Sequence, residues 1–278
     1  MTFVGSPWRV GTRLLVMVPV FFVVLLASAG LGSVAGSNAL AALLVGVATA
    51  AGGLMLYRMM VRRLEKRDAA EADWGGLVPG VLRGVGLGVA LFAVTIGLIA
   101  LFGGYRIDGW GSFLGALATL GTMTGAAVAE ELLFRGVLFR LLQEWAGTAV
   151  ALVLSGALFG ALHLLNPGAT LWGALAIAAE AGVLLGAAYT ATRTLWVPIG
   201  LHLGWNFAES GLFGTAVSGS GAEPHGLLRG ASEGAAAISG GAFGPEGSVF
   251  AILVGGVAAA LLLRVAHQRG RIERFRGR

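Results

Sequence analysis

The chain alternates between long apolar runs and short polar breaks. Runs fall at about Leu14–Ala35, Ala39–Tyr57, Val81–Phe102, Thr148–Leu165, Leu171–Thr190, Leu195–Phe213 and Val249–Leu263, with one more beginning near Ser112. A bilayer core is crossed by roughly 20 apolar helical residues. The pattern therefore predicts eight membrane-spanning helices. The runs lack the alternation of barrel strands, so the fold class is all-α, a polytopic helical bundle.

The breaks predict the connections. Arg58–Pro79 mixes five basic residues with several acids and reads as a charged amphipathic surface helix. Gly103–Gly111 reads as a short turn, and Asn166-Pro167-Gly168 is a helix stop. The fourth helix runs on to about Trp145. Its part after Arg135 is amphipathic and is expected to leave the membrane core. Residues 214–246 are rich in Gly, Ser and Ala and are expected to form a flexible loop. In the first run Ala27-Ser28-Ala29 has the look of a leader cleavage site, but the length of the run favours a retained span.

Composition fits this picture. Hydrophobic residues make up 56% of the 278 positions and charged residues 12%, about half the usual soluble share. There is no cysteine, which removes thiol catalysis, disulfides and cysteine-ligated metals. The net charge of +5 comes from basic residues spread over the short connections, so it reads as membrane topology and not as nucleic-acid binding. With the N-terminus in the cytoplasm, sixteen basic residues fall inside and two, Arg106 and Arg229, fall outside, leaving Arg135 within a span. That satisfies the positive-inside rule with both termini cytoplasmic.

Against this apolar background a few polar groups stand out. Glu130, Glu131 and Arg135 lie within the fourth helix. Each costs about 2.5–3.5 kcal/mol to insert, so each needs a partner. Glu131 and Arg135 are four apart and share a face, which makes them a structural brace. Glu130 points about 100° away and is left as the free carboxylate. Phe159 and His163 are also four apart, as are His202 and Asn206. Gly156/Gly160, Gly182/Gly186 and Gly200/Gly204 have the spacing that permits close helix approach. Glu180 is midway along span six and is assigned a supporting role. Glu209, near the end of span seven, is assigned an interfacial one.

Two schemes of water attack on an amide fit these groups. In one, Glu130, His163 and His202 hold a divalent metal such as zinc. In the other, Glu130 and His163 activate water directly, and His202 and Asn206 stabilise the oxyanion. Buried Glu and His also mark ion paths in transporters, but the inverted repeats typical of those folds are not evident. A catalytically silent scaffold or bacteriocin-immunity protein is a further alternative.

Glu130-Glu131-x-x-x-Arg135, Phe159-x-x-x-His163 and His202-x-x-x-Asn206 resemble, in order and placement, the three motifs of the CPBP family. These are the CAAX prenyl endopeptidase type 2 and bacteriocin-processing membrane proteins, also called Abi. The resemblance covers about residues 112–213. It implies an intramembrane endopeptidase with an eight-helix core and a polar site within the membrane, acting on a membrane-associated protein or peptide. By matching position, Glu130 and His163 activate water while His202 and Asn206 hold the oxyanion. The chain then divides into three N-terminal helices with a basic loop (1–111), a catalytic core (112–213), the Gly-rich loop (214–246) and a last helix with a basic tail (247–278).

One geometric tension follows from these lengths. Measured from the turn near Trp145, His163 is ~27 Å along its helix; measured from Arg193, His202 is only ~14 Å along its own. The two meet only if the end of the fourth helix projects into the cytoplasm or the fifth span stops early around a cavity. A polar cavity open toward the cytoplasmic side is expected.

Overall fold

The computed structural model describes residues 9–275. The first eight residues of the expected lead, and Arg276 and Arg278 of the expected tail, lie outside the described residues. α1 (Val10–Ala35) and α2 (Ala39–Met60) form an N-terminal pair, with α2 capped by Asn38, which accepts from the Ala41 amide at 2.9 Å. α1 buries one stripe: Arg13, Met17, Phe21, Leu25, Ser28 and Gly32. α3 (Leu77–Leu101) is followed by strand β1 (Tyr105–Trp110). α4 (Phe113–Glu131) starts on a Ser112 cap and passes through a π-helical turn, Leu132–Phe139, into α5 (Arg140–Leu162). α6 (Leu171–Ile177) joins α7 (Val183–Thr192) through a second π turn, Ala178–Gly182. α8 (Trp196–Asn206) runs into a third, Phe207–Leu212. Strand β2 (Leu228–Ser232), a short α9 (Ala236–Ser239) and α10 (Val249–Gln268) complete the chain.

Among the described residues six helical stretches are long and apolar enough to cross a membrane, and one of them, Phe113–Leu165, is 53 residues long. It is two spans. Gly147 breaks it with φ 82° and ψ 174°, a backbone state that favours glycine. Phe134 and Phe159 meet with ring centroids 4.9 Å apart, although 25 residues of straight helix would separate them by ~37 Å. The chain therefore reverses at Gly147. α8, at 11 residues, is not among these stretches; counted with it, the described residues hold eight helical rods, one for each run read from the sequence.

Glycines set the closest crossings. A Cβ on Gly84 of α3 would lie 2.4 Å from the Val197 carbonyl oxygen, and one on Gly200 of α8 would lie 2.3 Å from the Val81 oxygen. Gly156 of α5 faces Gly182 in the same way, 2.7 Å from its Cβ position. The expected backbone-to-backbone packing is present on both His-bearing helices, because only a missing side chain leaves that room.

Two connections depart from expectation. Arg58–Pro79 is not a surface helix. α2 extends through a π turn at Val61–Glu65, Lys66 adopts a left-handed backbone (φ 54°), and two 3₁₀ turns follow. The cause is burial of two of its acids, Glu65 and Glu71. Glu65 receives two hydrogen bonds from Arg140 (2.9 and 2.6 Å) and one from Arg67 (2.8 Å). Glu71 receives two from Arg67 (2.8 and 2.9 Å) and one from the Tyr57 hydroxyl (2.6 Å). Arg13 pairs with Glu144. Burial alone would raise the Glu71 carboxyl. The Arg67 hydrogen bonds, the charges of Arg140 and Arg67 and the Tyr57 hydroxyl instead hold it down at about 2.

Residues 214–246 are likewise no loose loop. β2 pairs antiparallel with β1, Tyr105 opposite Ser232 and Trp110 opposite Leu228. The Gly168 amide donates to the Gly219 carbonyl (2.8 Å) and ties the segment to the bundle, while the Gly219 amide donates to the Phe243 carbonyl (2.7 Å) and closes the segment on itself. Thr215, Val217, Ser218, Phe243 and Glu246 are buried. This ribbon marks the arginine-poor end, and the Glu65–Glu71 network marks the opposite one.

Candidate active site

The first motif lies where α4 passes into its π turn. Widened turns of this kind are frequent at functional sites, and here the turn carries Arg135 toward α7. Its Nη1 donates to Glu131 at 2.7 Å, and its Nη2 donates to the Ala181 and Gly182 carbonyls at 3.2 Å each. Those carbonyls belong to the facing π turn. Both partners are sealed from solvent, Glu131 at 0% and Arg135 at 1% exposure. The i,i+4 brace is therefore present and is anchored across helices.

Phe159 joins the three motifs. The Arg135 guanidinium lies 4.6 Å from its ring centre, a cation–π contact. Its ring packs against His163 (4.9 Å) and edge-on against His202 (5.9 Å). Burying Phe159 thus holds one charge and orients two imidazoles.

His202 is buried and bonds through Nδ1 to Glu131 Oε1 at 3.0 Å. Its Nε2 lies 3.9 Å from Glu130 Oε2, a gap that suits a bridging water better than a direct bond. Glu130 Oε2 is buried without a hydrogen-bond partner among the described residues. His163 begins a 3₁₀ turn at the end of α5, with Nδ1 bonded to the Phe159 carbonyl at 2.8 Å. Glu130 therefore sits beside His202, and it makes no ion pair or hydrogen bond with His163.

His163, His202, Asn206, Phe159 and Glu180 line one cavity together with Trp205 and, from the 214–246 segment, Ser218 and Glu246. Its volume is about 20 Å³, room for one water. Leu184, Leu185 and Leu201 line the side toward the arginine-rich end.

The turn before α8 is tied to the 69–76 segment. The Leu195 amide donates to the Glu71 carbonyl and Trp196 Nε1 to the Asp73 carbonyl, both at 2.7 Å. His163 and His202 meet around Phe159, whose ring packs against both imidazoles.

Glu246 was not expected here. Its Oε1 accepts from Trp205 Nε1 at 3.1 Å, and its Oε2 accepts from the Ser218 hydroxyl. Glu209 is fully buried, not interfacial: its carbonyl is held by Thr215, and its carboxylate, like that of Glu180, has no hydrogen-bond partner among the described residues. α10 presses Gly255 onto Glu180, where a Cβ would come within 2.9 Å. Glu246 follows Phe243-Gly244-Pro245, an apolar setting that separates it from the exposed Glu233, and this was its only signal in the sequence.

Among the described residues no group of three or more His, Asp or Glu side chains is placed to hold a metal ion. Glu130, His163 and His202 are not gathered into the ligand set that the metal scheme needs.

A helical membrane bundle with acid and imidazole groups around a water-sized cavity fits a membrane-embedded peptidase. Residues 110–208 match the family model described as type II CAAX prenyl endopeptidase Rce1-like, in agreement with the CAAX protease family that the three motifs resemble. Members of that family are peptidases that act on membrane-associated substrates. No curated protein and no solved structure matches the chain.

Proposed function

We propose that the chain cleaves a peptide bond near the C-terminus of a membrane-associated, CAAX-type substrate, using water activated by Glu130 and His163. Glu130 takes a proton as the water oxygen attacks the scissile carbonyl carbon. The tetrahedral oxyanion accepts hydrogen bonds from His202 Nε2–H and Asn206 Nδ2–H. The carbon–nitrogen bond then breaks, and Glu130 returns its proton to the leaving amine.

The observation that carries this reading is the unpartnered, buried Glu130 Oε2 next to His202. The oxyanion role sets a condition on His202. Glu131 already accepts from Arg135 and has no proton to offer, so Nδ1 must be the donor in their bond. For Nε2 to donate as well, the ring carries both protons. The set Glu130, Glu131, Arg135 and His202 is then neutral overall, which suits a low-dielectric site.

The test is cleavage of a prenylated reporter peptide in liposomes by the wild type and by Glu130→Gln, His163→Ala and His202→Ala, with and without a chelator. Loss of cleavage in all three variants, with chelator-resistant wild-type activity, supports the scheme. Unaltered cleavage in the variants ends it, and chelator loss restored by zinc would replace it with the metal scheme.

A further inference from the structure

The arginine-rich end holds a second cavity of about 340 Å³, between the 69–76 segment, the start of α3, the turn before α8 and the chain after α10. Arg83, Arg269 and Arg271 line it, with Asp73, Thr192 and Thr194. None of the three arginines has an ion pair among the described residues. Arg269 and Arg271 both donate to one carbonyl, Ala191 O, so two like charges converge on a single acceptor. Burial, and then the neighbouring charges of Arg269 and Arg193, push the Arg271 guanidinium down from its ordinary value. The acid in the lining, Asp73, spends Oδ2 on the Gly75 amide.

This is a basic cavity with uncompensated charge at the rim of the bundle. Beside Arg83, Val78 and Leu82 of α3 are 63% and 65% exposed. Trp74, half-exposed, lies under the Arg58 guanidinium at 5.1 Å, as suits an aromatic at the membrane interface. A phosphate entering from the membrane would meet guanidinium donors, while acyl chains would lie along the apolar face of α3. Guanidinium forks match phosphate geometry, and basic pockets between membrane helices suit anionic headgroups. We infer that this cavity binds the phosphate of an anionic lipid headgroup. It lies apart from the peptidase site, and no residue lines both.

The test uses the full chain in phosphatidylcholine nanodiscs doped with phosphatidylglycerol, with retained lipid counted by native mass spectrometry. Wild type retains phosphatidylglycerol over phosphatidylcholine, and millimolar inorganic phosphate does not displace it. The triple variant Arg83→Gln/Arg269→Gln/Arg271→Gln retains it about tenfold less or lower. Arg106→Gln/Arg229→Gln, which removes the same kind of charge at the other end, leaves retention unchanged. If the triple variant does not fold, Arg83→Gln alone is read, since Arg83 has no side-chain hydrogen bond to lose among the described residues; it should still lower retention severalfold. Equal retention in wild type and variant overturns the inference. Displacement by inorganic phosphate reassigns the site to a soluble anion.

Discussion

Glu131 accepts a hydrogen bond from His202 Nδ1 at 3.0 Å, joining two helices 71 residues apart in sequence. The same oxygen accepts from Arg135 at 2.7 Å. One carboxylate thus serves both as counter-charge to a buried cation and as the anchor of a site imidazole. Removing one partner of a buried pair costs about 3–5 kcal/mol. Arg135→Met should therefore lower thermal stability in detergent sharply. Glu131→Leu/Arg135→Met should recover much of that stability and remain inactive, since His202 has lost its acceptor. Full activity of the folded double variant would refute the anchoring role.

Glu130 differs from its neighbour because its Oε2 makes no hydrogen bond among the described residues and lies 3.9 Å from His202 Nε2. Glu130→Gln should lower the melting temperature less than Arg135→Met does. If Glu130 is the general base, cleavage falls by about 10²–10⁴-fold. Unfolding curves and turnover on one preparation separate the two effects.

The α3–α8 crossing tolerates no added carbon. A Cβ on Gly84 meets the Val197 oxygen at 2.4 Å, and overpacking of this kind costs about 1–3 kcal/mol. Gly84→Ala should lower the melting temperature, while Gly97→Ala, on the same helix with open space around it, should not.

Acid should loosen the arginine-rich end. The folded Glu71 carboxyl is held at about 2, below its ordinary value near 4.5. Its contribution to stability is therefore complete above pH ~4.5 and is lost as pH falls toward about 2. Melting temperature should drop between pH 5 and 3 in wild type, and less steeply in Glu71→Gln, which starts lower. Parallel slopes in the two proteins would assign the acid sensitivity elsewhere.

Much of this was legible in the sequence because membrane burial leaves few options. Apolar run length gave the spans, and the Glu131–Arg135 spacing gave the brace, because both are local properties of a helix. The Glu131–His202 bond was not legible: it depends on which faces of α4 and α8 meet. The 214–246 segment was misread for a related reason. Gly and Ser composition signals conformational freedom, yet here it allows close backbone packing against Gly168 and Phe243. Likewise Glu65 looked solvated until Arg140, 75 residues away in sequence, supplied its partner.

The small cavity beside His202 carries a kinetic implication. On the proposed reading, its volume of about 20 Å³ is room for one water and too little for a peptide bond, so a substrate would reach Asn206 only after the walls part. Most of those walls are transmembrane rods locked by close crossings, but two come from the connection, and Glu246 holds them through one indole and one hydroxyl. On that reading turnover would begin with a change of enclosure, resisted first by the grip of a single carboxylate.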